Sequence, residues 1–467
     1  MASLTTHAVW GFAARALFAL GLCLPAVGGA AAQTLPDTLV RVYQSNAQLN
    51  AERARLRATD EGVSQALSGY RPQVSAGLSA GTQALKNLLP DGTSQSATLY
   101  PRTAGVTITQ TLYNGLKTAS SVRQAESQVR SGREGLRNVE QTVFLNAITA
   151  YMNIVADQAL VDAQRANIGF LQETLASTRK SLDAGNVTPT DVAQAEARLS
   201  RGQADLNAAE VTLAINQATY TQIVGVAPGR LAAAEPADRW LPRSREEALA
   251  VGRREHPNIV AASYDVDVAQ NAVKVAEAAL APIITLQGSA SRSTQTDTTL
   301  GTLRTDQASV VGQATVPIYD GGLAASQVRQ SKEMLGQVRL VLDQARVQAE
   351  SAMVTAWVQN EGAKTAIRAG EAEVRSTGIA LAGVRRERDA GQRTTLDVLN
   401  AQQEQINARV RLIQAHRDRV IASYALLAAI GRLEHRRLDL KTPDYEPQTH
   451  YHQVRDAWHG LRTPAGQ

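Results

Sequence analysis

Apolar positions along this chain follow two rhythms. Between Gly115 and Gly185 there is no proline, and Val122, Ala125, Val129, Gly132, Leu136, Val139 and Val143 recur at alternating spacings of 3 and 4. Ile168, Leu171, Leu175, Thr178 and Leu182 continue the pattern. A 3-4 alternation is a coiled-coil seam. It predicts one helix over 115–184, ~105 Å long at the usual rise per residue. Residues 321–390 repeat it with Val328, Ser331, Leu335, Val338 and Leu342. A return helix is expected over 189–225, with seam positions Val192, Ala195, Leu199, Gly202, Leu206, Ala209 and Leu213, and another over 394–431. These are roughly half as long, ~55 Å. Helices are also expected before the strands, at about 38–70 and 245–280, and two half-length helices end to end would match one long one. Narrow seams of small residues predict hairpins or a wall of helices rather than a bulky core.

The second rhythm has period two. PQVSAGLSAGTQ and AGVTITQTLY alternate apolar with polar or tiny residues, and PIITLQGSASRS and ASVVGQATVPIY stand in the matching places later in the chain. They predict β-hairpins over 73–112 and 283–318. Segments of about ten residues with dyad alternation are typical of outer-membrane strands. Tyr70, Tyr100, Tyr113 and Tyr319 lie near strand ends, where an interfacial girdle would sit. Four strands cannot close a membrane barrel, whose small limit is about eight. An open edge in lipid would leave backbone groups unsatisfied. Either the strands pack in water or several chains share one barrel.

The two halves are copies. YNGLKTASSVRQ at 113–124 matches YDGGLAASQVRQ at 319–330, pairing Tyr113 with Tyr319 and Gly115 with Gly321 at strand-to-helix junctions. The offset of 206 also pairs the reversals SLDAGNVTPTDV (181–192) and ERDAGQRTTLDV (387–398). In each, a glycine (Gly185, Gly391) suits the left-handed position after a helix. Thr188, Pro189 and Asp191 read as N-cap, N1 and N3 of the next helix, a capping box. A weaker offset of 210 pairs Leu49 with Ile259 and Pro72 with Pro282. The expected organisation is an export signal over 1–32, a first unit over 33–225, a linker over 226–244, a second unit over 245–431 and a tail over 432–467.

Composition narrows the class. Only 4% of the 467 residues are aromatic, which suits long, closely packed helices. Arg15, the apolar ALFALGLCLPAV and Ala30-Ala31-Ala32 form the three parts of a secretory signal. The single cysteine, Cys23, lies inside it and follows Leu22 rather than a small residue, so neither disulfides nor lipid attachment are expected. The formal charge of +5 is spread among interleaved acids, without the basic aromatic face that nucleic-acid binding requires. No other segment is apolar enough for a spanning helix.

Candidate chemistry is sparse. GLSAG at 77–81 fits G-x-S-x-G, but Ser79 lies mid-strand without the elbow that motif needs. His435, His450, His452 and His459 crowd the tail, and a polar surface segment explains them better than a metal site. No phosphate loop, dinucleotide fingerprint or zinc-protease helix is present. No catalytic residue, cofactor or metal is expected.

The duplicated Y-[ND]-G junctions, the paired DAG…DV reversals, the stretch EHPNIVAA and the tail YEPQTHYHQVRDAWHGL together resemble the TolC-like outer-membrane efflux and type I secretion channels, from about Thr34 to Trp458. The resemblance implies a mainly α fold with a small β part. Three chains, a homotrimer, would each give four strands to a 12-stranded outer-membrane barrel in lipid, continuing into an α-helical tunnel. The reversals would be periplasmic tips that meet an adaptor protein and an inner-membrane ABC or proton-driven exporter. By position Asp191, Arg393 and Asp397 match residues of the tip constriction. Arg388 replaces a tyrosine of well-known members and Asn400 an acid, which lowers the negative charge at the entrance. Asp191 and Asp397 also have a purely local role as capping residues, whereas Arg393 has none visible in the sequence. A periplasmic coiled-coil adaptor or scaffold, with a water-soluble β domain, is the alternative.

Overall fold

The structure, a computed structural model, describes residues 32–297, 301–464 and 466. Residues 1–31 of the expected export signal, Cys23 included, and residues 298–300, 465 and 467 lie outside them.

Each half of the chain runs helix, strands, long helix, return helix. The first holds α1 (Leu35–Ser45), α2 (Ala47–Leu67), β1 (Gln73–Ala80), β2 (Gln83–Leu88), β3 (Ser94–Asn114), α3 (Lys117–Asp183) and α4 (Pro189–Val224). The second holds α5 (Arg245–Glu255), α6 (Pro257–Glu277), β4 (Ile283–Asp297), β5 (Gly301–Thr315), α7 (Leu323–Asp389) and α8 (Thr395–Ala429), and α9 (Pro447–Val454) closes the chain. Each long helix has 67 residues. Both start two residues later than the sequence predicts, because Gly115-Leu116 and Gly321-Gly322 are left-handed and cannot be helical.

Other boundaries also differ. The single helices expected at 38–70 and 245–280 are each two helices. Asn46 and His256 are extended at the breaks and cap the following helices, Asn46 through Oδ1 to the Leu49 N–H (3.0 Å) and His256 through Nδ1 to the Asn258 N–H (3.2 Å). The first hairpin, expected over 73–112, has its outer strand broken at Gly81-Thr82 and its inner strand running on to Asn114. The second, expected to reach 318, ends at Thr315.

The half-length helices do lie end to end. Leu56 of α2 packs at Gly132, in the first half of α3, while Leu171, far along α3, packs at Gly202 of α4. They meet where the Asn46 Nδ2 donates to the Ile223 carbonyl at 2.9 Å. In the other half, Gly431 at the end of α8 presses on His256 at the start of α6.

A bulky core exists after all, at mid-height. Phe144, Ile148 and Tyr151 of α3 are buried with Tyr43, Tyr220, Tyr424, Leu427 and Ile430. Short segments wrapped around the helices create it. Gln33 bridges Leu231, and the Tyr151 hydroxyl donates to the carbonyls of Gln33 (2.9 Å) and Ala232 (2.6 Å). Buried Arg419 holds Asp238 of the 226–244 segment and Asn360 of α7. The buried aromatic rings Tyr43, Phe144, Tyr151, Tyr220 and Tyr424 all lie in this one cluster.

The strands form one antiparallel sheet in the order β1-β3-β4-β5, with β2 extending β1 along β3. Registry sorts the side chains into two faces. One carries Val74, Ile108 and Val310 in one cross-strand row and Ala76, Val106, Ala290 and Ala308 in the next. The other carries Ser75, Thr107, Ser289 and Ser309, the two serine hydroxyls 2.8 Å apart. No helix among the described residues is long and apolar enough to cross a membrane.

Candidate functional site at the hairpin tips

Two reversals cap the far ends of the α3–α4 and α7–α8 hairpins. Both DAG turns close alike. Gly185 (φ +76°) donates to the Leu182 carbonyl at 2.9 Å, and Gly391 (φ +75°) to the Arg388 carbonyl at 2.8 Å. A glycine is needed at each because that backbone region strains any other side chain.

The return helices then start on side-chain caps. Asp191 Oδ2 accepts from the Thr188 N–H (2.9 Å) and hydroxyl (2.8 Å). Asp397 Oδ2 does the same for Thr394 at 3.0 and 2.9 Å, and Thr394 Oγ1 accepts from the Asp397 N–H at 3.2 Å. The backbone N–H of the cap residue, and then its hydroxyl, hold each carboxyl below its usual range. Both acids are thus engaged locally.

Arg393 is engaged as well. Its Nε donates to Glu387 Oε2 at 3.0 Å, bridging the turn from the residue before the cap to the last turn of α7. The sequence had shown no local partner for it. Arg388 donates through Nη2 to its own neighbour Asp389 at 2.6 Å. Within one chain the tip of α7–α8 holds Arg388, Arg393 and Asp397 together; Asp191 sits on the other tip.

What couples the two tips was missed in the sequence. Arg198 of α4 donates to Asn400 of α8 (3.0 Å), and Gln402 of α8 to Asn167 of α3 (2.8 Å). Arg385 of α7 lies over the Phe170 ring of α3, 4.2 Å from its centre. Leu171, Leu175, Ala195 and Leu399 form a small apolar cluster between the hairpins. Phe170 gave the one available signal, a rare aromatic beside the seam residues Ile168 and Leu171.

At the opposite end of the long helices lie the strand-to-helix junctions. Gly115 (φ +64°) lies against the end of α6, where an added Cβ would stand 2.4 Å from Ala281 Cβ; Gly321 (φ +72°) has open space. Tyr113 and Tyr319 are both exposed, as are Tyr70 and Tyr100.

The tail histidines are not one surface segment. His435 is buried, its Nδ1 and Nε2 each 2.8 Å from a carboxylate oxygen, of Glu140 and Asp444 respectively. Burial pushes its pKa down, but the hydrogen bonds and charges of these acids outweigh burial and leave it raised. His450 pairs with buried Asp60 at 2.9 Å, pinning α9 to α2. His452 meets the Tyr451 ring edge-on, centres 5.3 Å apart, and His459 is exposed. Among the described residues no group of three or more such side chains is placed to hold a metal.

An apolar-faced sheet continued by long paired helices with capped tips defines an outer-membrane channel subunit. The chain belongs to the outer membrane efflux protein family, whose pattern matches residues 38–226 and 251–432, one stretch in each half. It is 41% identical over 442 residues, 94% of each chain, to the outer membrane efflux protein BepC of Brucella suis. It is 25% identical over 418 residues to the outer membrane protein TolC of Vibrio cholerae, covering 86% of this chain and 91% of that one. The alkaline protease secretion protein AprF of Pseudomonas aeruginosa is 25% identical over 332 residues, 70% of this chain and 69% of the relative. In fold it resembles the Campylobacter jejuni CmeC outer membrane channel, with a TM-score of 0.75, 15% identity and 90% and 89% coverage. CusC gives a TM-score of 0.73 at 17% identity, with 85% and 91% coverage. The protein is an outer-membrane channel component reaching into the periplasm.

Proposed function

We propose that three copies of this chain form one passive conduit, a 12-stranded barrel in outer-membrane lipid that continues as a tunnel of helices. The observation that carries this is the sheet. Its apolar face suits lipid and its serine- and threonine-rich face a water-filled lumen, while β1 and β5 are left as unpaired edges. Lipid tolerates no such edges, so further copies must pair with them. The helices favour the same arrangement. Val211 and Ile215 of α4 and Met334, Leu340, Val347 and Val358 of α7 are exposed on a single chain. Neighbouring copies would cover them.

A periplasmic adaptor would meet the tips, and an inner-membrane exporter, ABC-type or proton-driven, would supply the energy. The relatives' names span efflux and protease secretion, so the cargo class is either small toxic compounds or a secreted protein. Asp191, Arg388, Arg393 and Asp397 would line the tip constriction, with the Arg393–Glu387 bridge stiffening its narrowest turn. Purified protein in planar bilayers tests both levels. Wild type should insert as a trimer and conduct ions, and Arg393→Ala should conduct severalfold better. Absence of any conductance would overturn the channel reading; equal conductance would remove Arg393 from the gate.

A further inference from the structure

The apolar face of the sheet ends in arginines. Following the registry away from the helices, the rows on that face read Tyr113–Ile284–Ala314, Gln110–Leu286–Gly312, Val74–Ile108–Gly288–Val310, and Ala76–Val106–Ala290–Ala308. The next row is Leu78–Ala104–Arg292–Asp306, and then Ala80–Arg102–Thr294–Arg304. Tyr100 stands one row further on the same face.

The height of these arginines follows from strand geometry. From Ile284 to Thr294 is ten residues of β4, ~33 Å along the strand. At the 35–45° tilt of membrane barrels this rises roughly 23–27 Å, the height of the outward apolar band. Arg102 and Arg304 therefore sit at the outer boundary of the hydrocarbon, with Tyr100 just above and Tyr113 at the inner boundary. Arg292 lies two residues lower and can reach the same level by extending its stem.

Their arrangement is organised rather than self-neutralising. Asp306 holds two guanidiniums at once, Arg292 Nε at 2.6 Å on Oδ1 and Arg304 Nη2 at 2.8 Å on Oδ2. It fixes both forks and leaves further N–H groups of each unused by it. Arg102 has no acid opposite it; its cross-strand neighbours are Ala80 and Thr294. Three arginines face one aspartate, and all four side chains are exposed. A positive cluster at the edge of an apolar band, with an aromatic residue above it, matches an anionic headgroup rather than a zwitterionic one. Arginine forks suit phosphate in particular, because they bind its oxygens in pairs.

We propose that Arg102, Arg292 and Arg304, organised by Asp306, form a binding site for the phosphate groups of the outer-leaflet phosphorylated glycolipid. The proposal rests on the barrel reading above, which places this face against lipid. Repeated three times around a barrel, it would fasten the channel in the outer leaflet and fix its height.

The test uses the purified, detergent-extracted full-length trimer. Binding is measured by native mass spectrometry for a diphosphorylated glucosamine-disaccharide lipid, its dephosphorylated form and phosphatidylglycerol, with inorganic phosphate as a competitor. Wild type should prefer the diphosphorylated lipid over both others. Arg102→Gln with Arg304→Gln should weaken that binding by roughly thirtyfold, the value of two arginines at an anionic surface. Arg102→Lys should retain most of the charge effect but lose part of the preference for paired phosphate oxygens. Equal binding of the dephosphorylated lipid, an unchanged double variant, equal binding of phosphatidylglycerol, or displacement by millimolar inorganic phosphate alone would each overturn the proposal. Conductance of the variants separates the two readings: a conducting trimer without lipid preference defeats this site only, whereas no trimer and no conductance defeats the barrel.

Discussion

At the scale of single residues, the two copies of the chain solve one problem at different cost. Each strand-to-helix junction needs two consecutive left-handed residues. The second copy uses Gly321 and Gly322, whereas the first uses Gly115 and Leu116, the latter at φ 64° as the N-cap position of α3. A leucine there carries strain of ~1–2 kcal/mol that glycine does not. Leu116→Gly should therefore raise the melting temperature of the protein in detergent, since the leucine is also exposed and little packing is lost. Gly115→Ala should do the reverse and severely, because its Cβ would meet both Ala281 and the Ala278 carbonyl (2.8 Å). Backbone strain and overpacking together amount to roughly 2–5 kcal/mol. Gly321→Ala meets open space and should cost only the strain. Equal losses at Gly115 and Gly321 would mean that the close approach to α6 is absent. The sequence displayed both junctions as YNG and YDG but hid this asymmetry, because it depends on Ala281 from the other half of the chain.

At the scale of elements, what was legible was local. The seam of α4 is buried where the heptad placed its small residues, at Ala195, Gly202 and Ala209. The caps at Thr188 and Thr394 were readable because capping depends on residues three apart. The breaks at Asn46 and His256 were not read, although asparagine is a strong cap and Pro257 follows His256, because the apolar pattern runs on across both. Long-range fastenings such as Arg198 to Asn400 leave no periodic trace at all. The tail is the clearest such case. His435 joins α3 to the chain end through Glu140, Asp444 and the Tyr43 hydroxyl at 3.4 Å. Its pKa is raised in the folded state. The protonated form is therefore the one the fold favours, and the stabilisation is full below the ordinary histidine value and is lost as pH rises through the raised one. Hydrogen exchange corrected for intrinsic rates should show segment 433–446 better protected at pH 5.5 than at pH 8.5. His435→Gln should remove that difference; a difference that survives it would place the titration elsewhere.

At the scale of the whole molecule, the single chain leaves an unusual amount of surface uncovered. It exposes 29003 Å², whereas a compact monomer of 49.8 kDa would expose ~17,000 Å². The excess lies partly in polar helix surface and partly in apolar residues left largely exposed. Leu340, Val347 and Val358 of α7 are 71%, 69% and 60% exposed. If the chain acted alone, a charge at any of them would be a surface substitution, worth within about 0.5 kcal/mol. If another copy covers them, the same charge is buried without a partner and costs several kcal/mol per interface. Repeated at each interface of a closed ring, that cost is enough to disperse the assembly. Leu340→Glu should therefore leave the helix content by circular dichroism unchanged while shifting the purified protein from trimer to monomer in light scattering, and conductance should vanish with the trimer. A Leu340→Glu protein that stays trimeric and conducting would show that this stripe faces water, and the search for the subunit interface would move to Val211 and Ile215 of α4.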